Sequence, residues 1–149
     1  MVQIFRCNSE EKDFINLAKR LDEDLEKGNG DKQSFYQKFN KILNIDTVIL
    51  LKDGEVAVGC GCFKEYDEIS VEIKRMYLLP AYRGIGYAKM LLGELEHWAK
   101  ELGYHKAVLE TGSHNTKAVT LYQNYGYHQT KNYGQYANVE TSVCFEKLL

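Results

Sequence analysis

The chain predicts an α/β domain built on a mixed, mostly antiparallel sheet of six to seven strands flanked by about four helices. Three observations carry this. Short strand-like runs rich in β-branched and aromatic residues alternate with longer apolar patterns at helical spacing. Asp53-Gly54, a strong hairpin signal, separates two of those runs. A long amphipathic helix joins two later strands, as a parallel crossover requires. The 149 residues suit a single domain, 1–149, with room for a full core.

Taken in order, Val2 to Arg6 reads as a short first strand. Asn8 with Glu11 then offers a cap for a helix that carries Phe14, Leu17, Ala18, Leu21 and Leu25 on one face, and Gly28-Asn29-Gly30 breaks it. Phe35, Phe39, Ile42 and Leu43 recur at helical spacing and predict a second helix. Thr47 to Lys52 and Glu55 to Lys64 are the two arms of the hairpin, and Tyr66-Asp67-Glu68 turns the chain into a fourth strand, Ile69 to Leu78. Pro80 cannot donate to a ladder and ends that strand. Ala88, Leu91, Leu92, Leu95, Trp98, Ala99 and Leu102 mark the long helix, which begins near Gly86 and stops at Gly103. Lys106 to Thr111 is a fifth strand, Asn115 to Tyr125 a helix, Tyr127 to Lys131 a further short strand, and Ser142 to Lys147 a closing one.

Composition excludes several classes. A net charge of −2 gives no electrostatic footprint for nucleic acid. No apolar run approaches a membrane span, and the first residues lack a signal-peptide pattern, so a cytoplasmic protein without membrane partners is expected. Cys7, Cys60, Cys62 and Cys144 form no Cys-x-x-Cys pair and have no histidine at finger spacing, which predicts neither a metal site nor a disulfide framework. Cys60 and Cys62, two apart on one strand, point to one face as small core residues.

The most informative stretch runs from Leu78 to Lys89. A strand leads through Arg83-Gly84-Ile85-Gly86-Tyr87-Ala88-Lys89 into the long helix. Unpaired N–H groups and the positive dipole end of that helix face the loop, the two glycines let an anion approach the backbone, and Arg83 adds a fork of donors. This is the layout of a pyrophosphate cradle. A P-loop is set aside, because Gly86 is followed by Tyr87 and Ala88 instead of Lys-Ser/Thr. A dinucleotide fingerprint would place a third glycine at Lys89 and follow the first strand of its unit. A plain strand-to-helix bend is the competing reading of the same glycines.

Arg83-x-x-Gly86-x-Ala88 resembles the Arg/Gln-x-x-Gly-x-Gly/Ala loop of the GNAT superfamily, the acyl-CoA-dependent N-acetyltransferases. A second signature of that family, Asn-x-x-Ala-x-x-Leu-Tyr-x-x-x-Gly-Phe/Tyr, is resembled by Asn115 to Tyr127, with Ala118, Leu121, Tyr122 and Gly126 in register and Tyr127 where Phe is usual. The likeness is strong over residues 47 to 127. It implies a single GNAT-like domain, acetyl-CoA as co-substrate without metal, and, by family habit, a homodimer.

The resemblance also implies roles. Arg83, Gly84, Ile85, Gly86, Tyr87, Ala88 and Lys89 would hold the pyrophosphate. Met76, Tyr77 and Leu78 would pair with the pantetheine arm and point a backbone N–H at the thioester oxygen, and Asn115 would contact CoA, with helix capping as its competing role. An alkylamine is charged at neutral pH, so a general base is useful, and Glu72 holds the strand position where many members carry one. Its competing reading is an ion-paired strand carboxylate. Glu110 and His114 are second choices. Tyr122 is the candidate acid for the thiolate, weighed against a core tyrosine. No nucleophile suggests an acyl-enzyme, so direct attack in a ternary complex is expected.

The acceptor is expected from two segments. The acidic run Asp22-Glu23-Asp24-Leu25-Glu26 either attracts a cationic amine or is a solvated helix face. Tyr133 and Tyr136 either line a pocket or pack a loop. A small-molecule amine is the preferred acceptor. A protein or peptide amino group, or a non-catalytic acyl-CoA sensor, are the alternatives.

Overall fold

A computed structural model describes residues 1–29 and 44–149. Its strands are β1 (Val2–Cys7), β2 (Val48–Asp53), β3 (Val56–Glu65), β4 (Ser70–Leu78), β5 (Lys106–Gly112), β6 (His128–Thr130) and β7 (Ser142–Leu148). They form one seven-stranded sheet in the order β1-β2-β3-β4-β5-β7-β6. Three α-helices lie among the described residues, α1 (Lys12–Asn29), α2 (Tyr87–Glu101) and α3 (Thr116–Asn124). The helix predicted around Phe35 to Leu43 falls outside them. Gly28 and Asn29, expected to break the first helix, are the end of α1.

The pairing confirms the mixed sheet. β1–β2, β2–β3, β5–β7 and β6–β7 are antiparallel, with Asp53 and Val56 facing each other across the predicted hairpin. β4 and β5 run parallel, Glu72 opposite Val108, as the α2 crossover requires. The described chain gathers into two compact units. One comprises Met1–Lys64 and Lys74–Leu95, the other Glu65–Ile73 and Glu96–Leu149, so β4 and α2 each contribute to both.

In the first unit α1 buries the predicted stripe. Phe14, Leu17 and Ala18 pack with Val48, Leu50, Cys60, Cys62 and Tyr77. Both strand cysteines are fully buried free thiols, as their alternation suggested. Alternating with them, Gly59 and Gly61 face the opposite side. A Cβ on Gly59 would lie 2.6 Å from Leu78 Cδ2 and 3.2 Å from the Tyr77 carbonyl oxygen. One on Gly61 would lie 2.7 Å from Met76 Sδ and 3.0 Å from Leu95 Cδ1. These glycines are there to admit β4 and α2 side chains.

The second unit is an aromatic core. Tyr122, Tyr127, Tyr136 and Phe145 are buried, with the Tyr122 ring 5.8 Å from Tyr127 and 6.3 Å from Phe145. A buried phenol needs a partner. Tyr127 donates to Glu96 Oε2 at 2.8 Å, and Lys147 Nζ holds the other oxygen of that carboxylate at 2.9 Å. The hydroxyl at the position where the family pattern favours Phe is therefore satisfied inside the fold.

Two outcomes follow. Gly59→Ala should lower stability by about 1–3 kcal/mol through overpacking against backbone, and Gly61→Ala by less, because a methionine can move aside. Urea titration should show lower midpoints at unchanged slope. Burial, then the Glu110 charge, pushes Tyr122 up to about 12, and Tyr127 and Tyr136 are raised chiefly by burial. An unfolded tyrosine titrates at about 10. The stabilisation from keeping these phenols neutral is thus complete below pH 10 and is lost as pH climbs through 10 to 12. Denaturant midpoints measured from pH 8 upward should hold level and then fall beyond about pH 10.

Candidate active site

The cradle is built from the end of β4. Leu79 N–H donates to Val58 O at 2.8 Å, which pins the strand end, and Pro80–Tyr82 make one 3-10 turn. Tyr82 Oη donates at 2.8 Å to Asp53 in the hairpin, whose carboxyl this bond and then the N-terminal ammonium hold below its usual value. The loop is thereby braced at its base. Gly84 and Gly86 follow at φ +80 and +97, conformations that a side chain resists, and a Cβ on either would meet nothing within 4 Å. The glycines serve the backbone's course and leave its outer face open. Met90 N–H bonds to Gly86 O at 3.3 Å, so the N–H groups of Tyr87, Ala88 and Lys89 belong to the unpaired first turn of a 15-residue helix. An anion is suited to that position.

Arg83 is less free than the sequence suggested. Its Nε donates to Leu78 O at 2.9 Å, its guanidinium lies 5.3 Å from the Tyr77 ring centre, and Nη2 stands 3.5 Å from Asp24 Oδ2. Tyr77 Oη also donates to Asp24 Oδ2, at 3.2 Å. Asp22 forms a charged hydrogen bond with Arg75, a buried mid-strand residue at φ 59. The acidic run is thus neither a plain solvated face nor a bare cation trap. Asp22 and Asp24 fasten α1 to β4 and to the cradle arginine, a role that composition could not disclose. The Met76 side chain lies over Gly61, and Tyr77 and Leu78 are buried, which leaves the backbone as what this strand end offers a ligand.

The residues predicted for proton transfer fall in the other unit. Glu72 is only 3% exposed and accepts a hydrogen bond from Tyr133 Oη on Oε2 at 2.8 Å. The Tyr133 ring packs edge-on against Tyr66 at 5.0 Å and against Tyr136 at 5.8 Å. Glu110 accepts from Ser142 Oγ at 2.6 Å. Burial, then the charge of Glu72, lifts the Tyr133 phenol far above its ordinary value; for Tyr136 burial is followed by Glu110 and Glu72. Two carboxylates and a set of protonated phenols therefore share one neighbourhood. His114 folds back on Gly112, where a Cβ would come within 2.6 Å of its ring.

Asn115 caps α3, its Oδ1 accepting from Ala118 N at 3.3 Å. Tyr122 is a buried member of the aromatic core and also a phenol that stays protonated at neutral pH. The partnership of Tyr133 with Glu72 was missed, since a hydrogen bond spanning 61 positions leaves no local pattern. The only signal was the density of tyrosines around the loop before β7. Among the described residues no cluster of His, Cys, Asp and Glu is placed to hold a metal, and no helix is long and apolar enough to cross a membrane.

Comparison with known proteins agrees with this geometry. Residues 13–127 match the acetyltransferase (GNAT) family model. The chain is 32% identical over 99 residues to the uncharacterized N-acetyltransferase YsnE of Bacillus subtilis, covering 65% of this chain and 66% of that protein. It is 28% identical over 138 residues to the IAA acetyltransferase of Azospirillum brasilense, covering 87% and 89%. A Klebsiella pneumoniae structure described as an acyl-CoA N-acyltransferase superposes with a TM-score of 0.81 at 28% identity, over 100% of this chain and 98% of that one. A GNAT family acetyltransferase from Elizabethkingia anophelis, solved with acetyl-CoA bound, shares the fold at a TM-score of 0.70 and 22% identity, over 99% and 98%. With a family match over most of its length and a sheet, helix crossover and glycine loop that agree with it, the chain belongs to the GNAT family of acetyltransferases.

Proposed function

We propose that the protein transfers the acetyl group of acetyl-CoA to the primary amine of a small molecule, by direct attack in a ternary complex. The observation that carries this reading is Glu72, a carboxylate buried on β4 and held by a phenol. An alkylammonium has a pKa of about 10 and no lone pair to give, and Glu72 takes its proton. The aromatic surroundings of that carboxylate, Tyr66, Tyr133 and Tyr136, suit the body of a small amine and favour it over a protein side chain.

The residues of the loop fit the co-substrate. Open glycines, first-turn N–H groups of α2 and Arg83 would hold the pyrophosphate, the Met76–Leu78 backbone would take the pantetheine arm, and the Asn115 region would add a contact. Bound acetyl-CoA supplies an acetyl carbon activated as a thioester. As the nitrogen forms its bond to that carbon and the carbon–sulfur bond breaks, Tyr122 gives its proton to the departing sulfur and regains one from solvent. Burial raises that phenol to about 12, which keeps it protonated at neutral pH and makes it a weaker acid toward the sulfur. Cys60 is raised chiefly by burial, and Cys7 and Cys144 are each pushed up to about 11, so none of these three offers a thiolate at neutral pH.

Thermal-shift titration should show stabilisation by acetyl-CoA and CoA and none by NAD. Thiol release should then require an amine from a panel of n-butylamine, putrescine, phenethylamine, glycine methyl ester and a lysine-containing peptide. No stabilisation by either CoA species would sink the cradle reading, and turnover of the peptide alone would assign a protein acceptor. Glu72→Gln should lower kcat by about 100-fold or more at unchanged acetyl-CoA affinity. Tyr122→Phe should lower it by about 10-fold or more while the thermal transition is kept, and an unchanged kcat would return Tyr122 to the core.

A further inference from the structure

We propose that Tyr133 is the positioning residue for Glu72: its hydroxyl holds one carboxylate oxygen and so fixes the orientation in which the carboxylate meets the ammonium proton of the acceptor. The inference rests on reading Glu72 as the general base. A carboxylate that removes a proton is useful only in the right orientation, and a buried glutamate on a strand still has side-chain torsions to fix. The 2.8 Å bond from Tyr133 Oη to Oε2 supplies that restraint.

The donor is itself well held. Edge-on contacts with Tyr66 and Tyr136 grip the ring from two directions, at 5.0 and 5.8 Å with interplanar angles of 71° and 90°. Just before it in the chain, Asn132 Nδ2 donates to Val139 O at 3.1 Å and to Ser142 O at 3.0 Å, which closes the loop between β6 and β7. Tyr66, beside Gly134, comes from the turn that leads into β4. Burial first, and the charge of Glu72 second, keep the phenol protonated well past neutrality. Tyr133 is therefore a donor throughout the range in which an amine acetyltransferase works. It orients the base and does not compete with it for the proton.

Tyr133→Phe removes only the hydroxyl and keeps the ring in its stack. With acetyl-CoA and the fastest amine of the panel above, kcat should fall by about 10- to 100-fold while the KM for acetyl-CoA stays within about twofold. In the Glu72→Gln background the same change should alter kcat by less than about twofold, because the group it positions is already gone. An equal loss in both backgrounds, or no loss in the wild type, overturns the positioning role. Wild-type kcat in Glu72→Gln overturns the base reading instead, so the two failures are told apart. A second readout needs no acceptor. In protein labelled with 13Cζ-tyrosine, the Tyr133 resonance, assigned by its loss in Tyr133→Phe, should keep its protonated position where exposed tyrosines ionise, and should move at neutral pH when Glu72→Ala removes its hydrogen-bond partner. Ionisation alongside the exposed tyrosines, or a resonance unmoved in Glu72→Ala, overturns the contact.

Discussion

The first unit depends on one charge pair, the buried guanidinium of Arg75 against the partly exposed Asp22, at a point where β4 takes an unusual conformation. Arg75 sits in mid-strand at φ 59, a conformation that a long side chain adopts only when its surroundings compel it. Its guanidinium is buried, and burying a cation is costly without a partner of opposite charge. Asp22 of α1 is that partner, and Cys60 Sγ adds a weak bond to the Arg75 carbonyl at 3.3 Å. The strand carries the candidate base on one side of this residue and the candidate co-substrate contacts on the other. Fixing the backbone at Arg75 fixes the course of the strand end that leads into the glycine loop.

The acidic turn of α1 extends that control to the cradle. Asp24 meets both Tyr77 and Arg83, so the helix, the strand end and the loop arginine are tied together by charge and hydrogen bonds. Arg83 and Asp24 are each about half exposed, which makes their pair weak and reversible in water. A pyrophosphate approaching the glycine loop would meet an arginine already oriented by Leu78 O and Tyr77. The partly buried pair at Arg75 and the exposed pair at Arg83 thus serve different ends: one sits where the backbone is strained, the other keeps a charge within reach of solvent.

Phenols do comparable work in the second unit. Tyr127 on Glu96 and Tyr133 on Glu72 are the same device, a buried tyrosine satisfying a carboxylate at 2.8 Å. In the first case Lys147 also neutralises the glutamate and the arrangement is structural. Tyr133 instead stands among other tyrosines beside a carboxylate on the strand that leads to the cradle.

Hydrophobic period, turn residues and the glycine-spaced loop were enough to read the strands to within a residue or so, the α2 crossover, the hairpin at Asp53-Gly54 and the cradle, because each is a local pattern with a local cause. The candidate residues Glu72 and Tyr122 were named from motif positions, and the structure gives their burial and neighbours. The fastening role of Asp22 and Asp24 and the partnership of Tyr133 with Glu72 were decided only by tertiary structure. A polar side chain has several partners available to it. Which one it takes depends on groups that the fold brings close from tens of positions away, and burial then raises the cost of any other choice.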